Sequence, residues 1–178
     1  MPDFARLPIK AKDGYLHVII ETPRGSHAKL AYDPELGAFT LAKSLLAGLT
    51  YPHDWGFIPS TKADDGDPLD IMVIHDAATY PGLVLACRII GILQINQKKK
   101  GNIVRNDRLF GVPRYSHEEK GLKDVRSFSK AIREELEKFF VATDELEKKQ
   151  LQILGWKGPK AAMKAVRDAS RSAMSKSE

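Results

Sequence analysis

The spacing of the apolar residues changes about two-thirds of the way along this 178-residue chain. Before that point, short runs rich in β-branched residues are separated by Gly, Pro and Asp, and in residues 15–21 the side chains of Leu16, Val18 and Ile20 fall on one face. Strands of this length and spacing predict a small closed barrel rather than β–α–β units. The further runs predicted as strands are 29–33, 38–42, 68–75 and 83–95, the last with a bulge or bend at Gly91.

The last third of the chain has the spacing of amphipathic helices. The first helix is predicted within 127–140, where the apolar residues three or four positions apart are Phe128, Ile132, Leu136 and Phe139. A second helix is predicted to begin at about Pro159, because proline suits the first helical position. Its apolar residues are Ala162, Val166 and Ala169. A chain of this length can bury one substantial core, so we predict a single α+β domain covering residues 1–178.

Composition limits the expected location of the protein. The single cysteine, Cys87, excludes an intramolecular disulfide and favours a reducing cytoplasm. The first ten residues lack the apolar segment of a secretory signal. The longest apolar stretch, residues 82–93, is interrupted by Arg88 and is too short to cross a membrane. We therefore expect a cytoplasmic protein without a membrane partner.

The basic residues could indicate nucleic-acid binding, since the net charge is +5. Much of the excess lies in residues 96–102 and in the C-terminal segment. The run Lys98, Lys99, Lys100 has no interleaved aromatic residues on which bases could stack. This pattern favours a solvated loop tip, so nucleic acid is not the expected partner.

Three aspartates, Asp65, Asp67 and Asp70, recur in the stretch "ADDGDPLDIMV" at residues 63–73. A bend at Gly66–Pro68 could bring their side chains together. Asp70 also interrupts an apolar strand, where an unpaired carboxylate would be costly and a hard cation such as Mg²⁺ would remove that cost. Spacing alone leaves two interpretations open, a solvated turn and a metal site.

The segment "DGDPLD" (65–70) resembles the signature of the family I soluble inorganic pyrophosphatases. The segment "YPHDWGFIPST" (51–61) resembles a second motif of that family and precedes the first at the family's spacing. The likeness covers roughly residues 16–165. It implies a five-stranded OB-like barrel with flanking strands and two main C-terminal helices. It also implies Mg²⁺-dependent hydrolysis of pyrophosphate to two phosphates by a metal-activated water, with Mn²⁺ as a substitute ion. We also expect a homo-oligomer.

The resemblance also implies roles for individual residues. Asp67 matches the carboxylate that orients or deprotonates the attacking water. The matched substrate-binding residues are Lys29, Lys43, Tyr51 and Arg108, and the matched metal-binding residues are Glu21, Asp65, Asp70 and Asp107. Asp107 fills its role if the loop shifts by one residue, whereas a strict alignment puts Asn106 there. Lys43 stands where the family usually has Arg, and Arg108 where it has Lys.

Other positions depart from the family pattern. They are Ala31, Trp55, Gln97, Thr143 and Asp144. Three functions therefore remain open: an active but divergent pyrophosphatase, a paralogue that is inactive or binds another phosphorylated ligand, and a non-enzymatic OB-type nucleic-acid-binding protein. The three aspartates argue against the last, because carboxylates repel a phosphate backbone unless a metal intervenes. We expect the first.

Overall fold

The computed structural model describes residues 3–175, apart from the side chain of Lys99. Within them the chain forms nine strands and two α-helices. The strands are β1 (Leu16–Thr22), β2 (Ala28–Asp33), β3 (Ala38–Ser44), β4 (Asp54–Ile58), β5 (Leu69–Val73), β6 (Val84–Lys99), β7 (Asn102–Arg105), β8 (Arg108–Pro113) and β9 (Gln150–Lys157). The helices are α1 (Lys130–Glu145) and α2 (Pro159–Met174).

Five strands form a closed ring. Their order is β1, β4, β5, β8 and β6, and β6 pairs back onto β1. The β5–β8 pair is parallel and the other ring pairs are antiparallel. The remaining strands flank the ring, because β7 and β9 pair with β6 while β2 and β3 form a separate hairpin. The prediction of a small five-stranded barrel with flanking strands and two C-terminal helices is confirmed.

Two apolar clusters lie on opposite faces of the strands, one under each helix. On β5, Ile71 and Val73 pack in the cluster that contains α2 residues, whereas Met72 packs in the cluster that contains α1 residues. Because side chains alternate along a strand, Asp70 lies on the same face as Met72. The same alternation places Arg108 with Phe110 on the α1 face of β8. The pleat thus directs two charged side chains toward α1.

Two glycines of the ring strands permit close contacts. A Cβ at Gly56 would lie 1.9 Å from the carbonyl oxygen of Ile19, so β4 approaches β1 where a side chain would not fit. A Cβ at Gly91 would lie 2.2 Å from Val125 Cγ2. The β6–β8 register shifts between Ile89 and Gly91, which confirms the predicted bulge.

The five predicted strands and both predicted helices are present, with ends that differ by up to five residues. The prediction that Ile132 lies on the apolar face of α1 is wrong, because Ile132 is 44% exposed and the helix packs through Leu136, Phe139 and Phe140. Phe128 is buried but precedes the helix, whose N-cap is Ser129. Cys87 is buried and unpaired. Lys98 and Lys100 are exposed at the β6–β7 hairpin, as predicted. Within residues 3–175 no helix has the length and apolar character needed to cross a membrane.

Candidate active site

Four of the predicted catalytic, substrate-binding and metal-binding residues line one cavity of about 350 Å³. We call it the acidic cavity, and these four residues are Glu21, Lys29, Asp67 and Asp70. Its wall is completed in part by Tyr32 of β2, so the β2–β3 hairpin forms one side and the 65–70 segment the other. The strand ends therefore bring three carboxylates and one ammonium group to the same solvent-accessible space.

The segment that carries the aspartates is a tight turn. Gly66 has φ 96°, a left-handed conformation that glycine adopts at no steric cost. The carboxylate of Asp65 accepts a hydrogen bond from the backbone N–H of Asp67 at 3.2 Å, which holds Asp65 against the turn. Burial raises the pKa of Asp65, and the charges of Asp70 and Asp67 raise it further. The charges of Asp67 and Asp70 thus both act on the carboxylate of Asp65.

Glu21 is a buried carboxylate in the acidic cavity. It accepts a hydrogen bond from the backbone N–H of Tyr32 at 2.7 Å. Burial raises the pKa of Glu21 to about 7, and the charges of Asp70 and Asp67 act in the same direction against the Tyr32 hydrogen bond and Lys29. A cation placed among these groups would relieve both the burial cost and the repulsion.

The donor set fits a hard divalent cation, since every acidic group in it is a carboxylate. Among residues 3–175, no three His, Cys, Asp or Glu side chains lie close enough to form a complete ligand set by themselves. Mg²⁺ is commonly held by one or two carboxylates together with waters and substrate phosphates. The carboxylates present can hold such an ion, and water or phosphate oxygens would complete its coordination.

A second, smaller cavity adjoins the first at Lys29. We call it the basic cavity. It measures about 20 Å³, and its polar lining includes all four predicted substrate-binding residues, Lys29, Lys43, Tyr51 and Arg108. Trp55, Phe139, Phe140, Thr143 and Asp144 complete the lining. This volume holds about one water molecule. Two buried donors here, Trp55 Nε1 and Arg108 Nε, have no hydrogen-bond partner among the described residues.

Lys43 is held by the C-terminal end of α1. Its Nζ donates to the carbonyl oxygen of Thr143 at 2.6 Å and lies 2.9 Å from the carboxylate of Glu147. Much of its charge is therefore neutralised within the protein.

Arg108 is buried and makes an ion pair with a predicted metal ligand. Its Nη1 donates to Asp70 Oδ2 at 2.7 Å and also to Asn106 Oδ1. The guanidinium lies over the ring of Trp55, 5.4 Å from the centroid, and 6.0 Å from that of Phe140. Arg108 thus faces Asp70 from the α1 side.

The structure does not bring Asp107 to the acidic cavity, and the expected one-residue shift of the loop is not observed. Asp107 accepts a hydrogen bond from the backbone N–H of Ile95 at 2.9 Å and pairs with Arg105. It lines a separate cavity beside α2. Asn106 points the other way and contacts Arg108, because successive side chains at the start of a strand face opposite sides.

Sequence reasoning identified Gln97, Thr143 and Asp144 only as departures from a family pattern. In the structure all three are buried, and Gln97 donates to Asp144 at 3.3 Å. A signal was present in the polar residues Asn106 and Arg108, which are two positions apart and therefore share a strand face.

Comparison with known proteins agrees with this site. The profile of the inorganic pyrophosphatase family matches residues 18–174. The inorganic pyrophosphatase of Nostoc sp. is 41% identical over 158 residues, which covers 86% of this chain and 89% of the relative. That of Thermus thermophilus is 36% identical over 171 residues, covering 94% and 95%.

Solved structures give the same result. The crystal structure of the Thermus thermophilus inorganic pyrophosphatase superposes with a TM-score of 0.88 at 33% identity, covering 97% of this chain and 99% of that one. The Helicobacter pylori enzyme gives 0.83 at 27% identity, covering 94% and 98%. The chain therefore belongs to the inorganic pyrophosphatase family.

Proposed function

We propose that this protein hydrolyses inorganic pyrophosphate to two phosphates with the aid of Mg²⁺, for which Mn²⁺ can substitute. The observation that carries the proposal is the acidic cavity, which is lined by Glu21, Asp67 and Asp70 together with Lys29. Carboxylates in this arrangement would repel a pyrophosphate anion unless cations lay between them. Membership of the family supports the same substrate.

In this mechanism Asp65, Asp70 and Glu21 would contribute carboxylate oxygens to the metal, and oxygens of water and substrate phosphate would complete its coordination, since no three of the described acidic side chains form a ligand set by themselves. When bound, the metal would supply charge neutralisation and a more acidic water. Asp67 accepts the proton of the attacking water, and its exposed position in the acidic cavity gives it access to solvent. Asp107 has no part in it, because its carboxylate is used by Ile95 and Arg105.

The leaving phosphate binds toward the basic cavity. Lys29 lines both cavities and can contact either phosphate group. Tyr51 remains a neutral hydrogen-bond donor, since burial raises the pKa of its hydroxyl, as does the charge of Asp70. The Nε1 of Trp55 is a further buried donor on this side. Positioning and charge stabilisation of this kind account for most of the catalysis of phosphoryl transfer.

A second candidate function is binding of another phosphorylated ligand without hydrolysis. The ion pairs of Arg108 and Lys43 favour it, because both side chains are engaged by carboxylates of the protein itself. The carboxylate of Asp144 in the lining of the basic cavity favours it as well.

We also propose that the protein acts in the cytoplasm as a homo-oligomer. The single buried thiol of Cys87 supports a reducing compartment. Exposed apolar side chains such as Leu36, Leu41 and Tyr115 supply surface that self-association could cover. Light scattering coupled to size-exclusion chromatography measures the assembly, and a mass of one chain would contradict it.

Phosphate release from pyrophosphate tests the main proposal. We expect release with Mg²⁺, slower or equal release with Mn²⁺, and none in excess EDTA. Full activity in EDTA would overturn the metal-dependent mechanism. Absence of release, together with calorimetric binding of a sugar phosphate or nucleotide, would favour the second function instead.

A further inference from the structure

Four buried polar side chains close a ring beside Asp70. We call it the polar ring, and its members are Gln97, Asn106, Arg108 and Asp144, each 5–7% exposed. Arg108 donates to Asn106 Oδ1, and Asn106 Nδ2 donates to Gln97 Oε1 at 2.7 Å. Gln97 Nε2 then donates to Asp144 Oδ2 at 3.3 Å, and that same oxygen lies 3.8 Å from Arg108 Nη2. The ring thus joins β6, the start of β8 and the last turn of α1.

The amide oxygen atoms of the ring already accept hydrogen bonds. Asn106 Oδ1 accepts from Arg108, and Gln97 Oε1 accepts from Asn106. Both side chains are neutral amides, so neither brings a negative charge that would attract a divalent ion. The polar ring therefore offers a divalent cation one carboxylate, Asp144, which faces Arg108.

Arg108 lies between two carboxylates, as a bound metal cation would. Its guanidinium is 2.7 Å from Asp70 Oδ2 and 3.8 Å from Asp144 Oδ2. Buried carboxylates need such a positive partner, because an unpaired buried charge is strongly destabilising. The guanidinium is also fixed in place by the Trp55 ring.

We infer that Arg108 is a resident cation, which occupies the α1 side of Asp70 and prevents a divalent ion from binding between Asp70 and Asp144. Divalent metal is then confined to the other side of Asp70, where the acidic cavity opens. Arg108 acts here as a positioning residue that limits the number of metal ions. The inference deepens the proposed function, since it concerns the same cleft, but its test needs no turnover.

The test counts Mn²⁺ ions bound in the absence of pyrophosphate, by the electron paramagnetic resonance signal of free Mn²⁺. Arg108→Met removes the charge, keeps an unbranched side chain, and leaves Asp70 and Asp144 without the guanidinium that lies between them. We expect this variant to bind one more Mn²⁺ per chain than the wild type, or to bind Mn²⁺ at least tenfold more tightly. The same stoichiometry and affinity as the wild type would overturn the inference.

Arg105→Met is the matched control. It frees the carboxylate of Asp107 from its arginine in the same way, but outside the cleft. We expect its Mn²⁺ stoichiometry to equal that of the wild type. An increase as large as that of Arg108→Met would mean that any released carboxylate binds the ion, and would also overturn the inference.

Asp144→Asn keeps the proposal testable even if Arg108→Met does not fold. This variant leaves Arg108 on Asp70, so we expect unchanged Mn²⁺ binding. A tenfold or greater loss of Mn²⁺ affinity would show that Asp144 is itself a metal ligand and that Arg108 does not exclude the ion. Because these measurements omit substrate, a protein that fails to hydrolyse pyrophosphate can still give the expected counts.

Discussion

Neighbouring aspartates of one short turn have different surroundings. Asp64 lines the cavity beside α2, together with Asp107 and Asp168. Asp65 accepts the backbone N–H of Asp67, whereas the side chain of Asp67 lines the acidic cavity. The turn therefore places acidic residues that are close in sequence in different environments, and of these three Asp67 is the one that lines the acidic cavity.

Asp67→Asn should lower kcat for pyrophosphate by about 10²–10⁴-fold, because an amide cannot accept the proton of the attacking water. Phosphate release at saturating pyrophosphate measures the change. Asp64→Asn is the control, since it makes the same substitution in the same turn and should leave kcat near the wild-type value. Near-normal turnover of Asp67→Asn would remove Asp67 from the role of base.

The limits of sequence reasoning at this scale are illustrated by Asn106 and Asp107. Side-chain chemistry favours Asp107 over Asn106 as a metal ligand, because Asp107 carries a negative charge. The direction of each side chain depends on strand register, and a shift of one residue reverses it. Register here is fixed by pairing of β8 with β5 and β6, contacts that are distant in sequence. The residues of the 65–70 turn were predictable because local chemistry, Gly66 and Pro68, determines their bend.

At the scale of elements, a hydrogen bond and an ion pair connect the C-terminal end of α1 to the β2–β3 hairpin. Lys43 of β3 donates to the carbonyl oxygen of Thr143 in the last turn of the helix and pairs with Glu147 just beyond it. A cation at this end also interacts favourably with the helix dipole. This contact holds α1 over the basic cavity.

The contribution of the Lys43–Glu147 ion pair to stability should depend on pH. Burial opposes ionisation of Glu147, but hydrogen bonds from Lys149 and Lys43 outweigh it and lower the pKa of Glu147 to about 2 from its usual 4.5. A lowered folded-state pKa contributes stability that is present above pH 4.5 and is lost as the pH falls toward 2. Since the side chain is 28% exposed, solvent screening reduces the contribution to about 1 kcal/mol.

Glu147→Gln should therefore lower the free energy of unfolding by about 1 kcal/mol near pH 7, and the difference from the wild type should shrink between pH 4.5 and 2. Urea unfolding at several pH values measures it. Glu134→Gln removes an exposed pair with Lys130 and should change little at any pH. A difference for Glu147→Gln that does not vary with pH would contradict the ion pair.

Gly56→Ala should destabilise the fold by about 3 kcal/mol or more, because the added methyl group would overlap the carbonyl of Ile19 and force β1 and β4 apart. Urea unfolding followed by circular dichroism gives the value. At Gly121 a Cβ would meet no described atom within 4 Å, so Gly121→Ala should stay within about 0.5 kcal/mol of the wild type. Equal stability of the two variants would show that the ring tolerates a wider β1–β4 spacing.

Elements with a regular apolar pattern were predictable, and those with buried polar residues were not. Strand β4 begins with Asp54 and β8 with Arg108, both buried, so neither has the alternation that identifies β1. Strand β9 was missed for another reason. The alternation of polar and apolar residues covers only 150–153, and the partner strand β6 lies more than 50 residues earlier in the chain, a pairing that so short a pattern does not identify.

For the whole molecule, the hairpin that carries the lysine run of residues 98–100 lies apart from the acidic cavity. Lys98 and Lys100 project from the exposed β6–β7 hairpin, and the acidic cavity faces a different set of strands. This run has no interleaved aromatic residues on which the bases of a single-stranded nucleic acid could stack.

Single-stranded DNA should therefore bind weakly or not at all at physiological salt, as measured by fluorescence anisotropy of a labelled oligonucleotide. Replacing Lys98, Lys99 and Lys100 together with Ala should leave pyrophosphate hydrolysis unchanged. Sub-micromolar binding that weakens steeply with salt, and that the triple variant loses, would instead support a nucleic-acid-binding function.

The pairing of β6 with β9 forms late while the chain is being synthesised. The five ring strands are complete at Pro113, whereas β9 begins only at Gln150. One edge of β6, from Ile92 to Lys98, therefore stays open on the ribosome until β9 is made, and open edges are where unfinished chains associate. We expect chains that end before β9 to aggregate in a sedimentation assay, while the complete chain stays in the supernatant. The C-terminal third thus supplies, late in synthesis, the strand that pairs with residues 92–98 of β6.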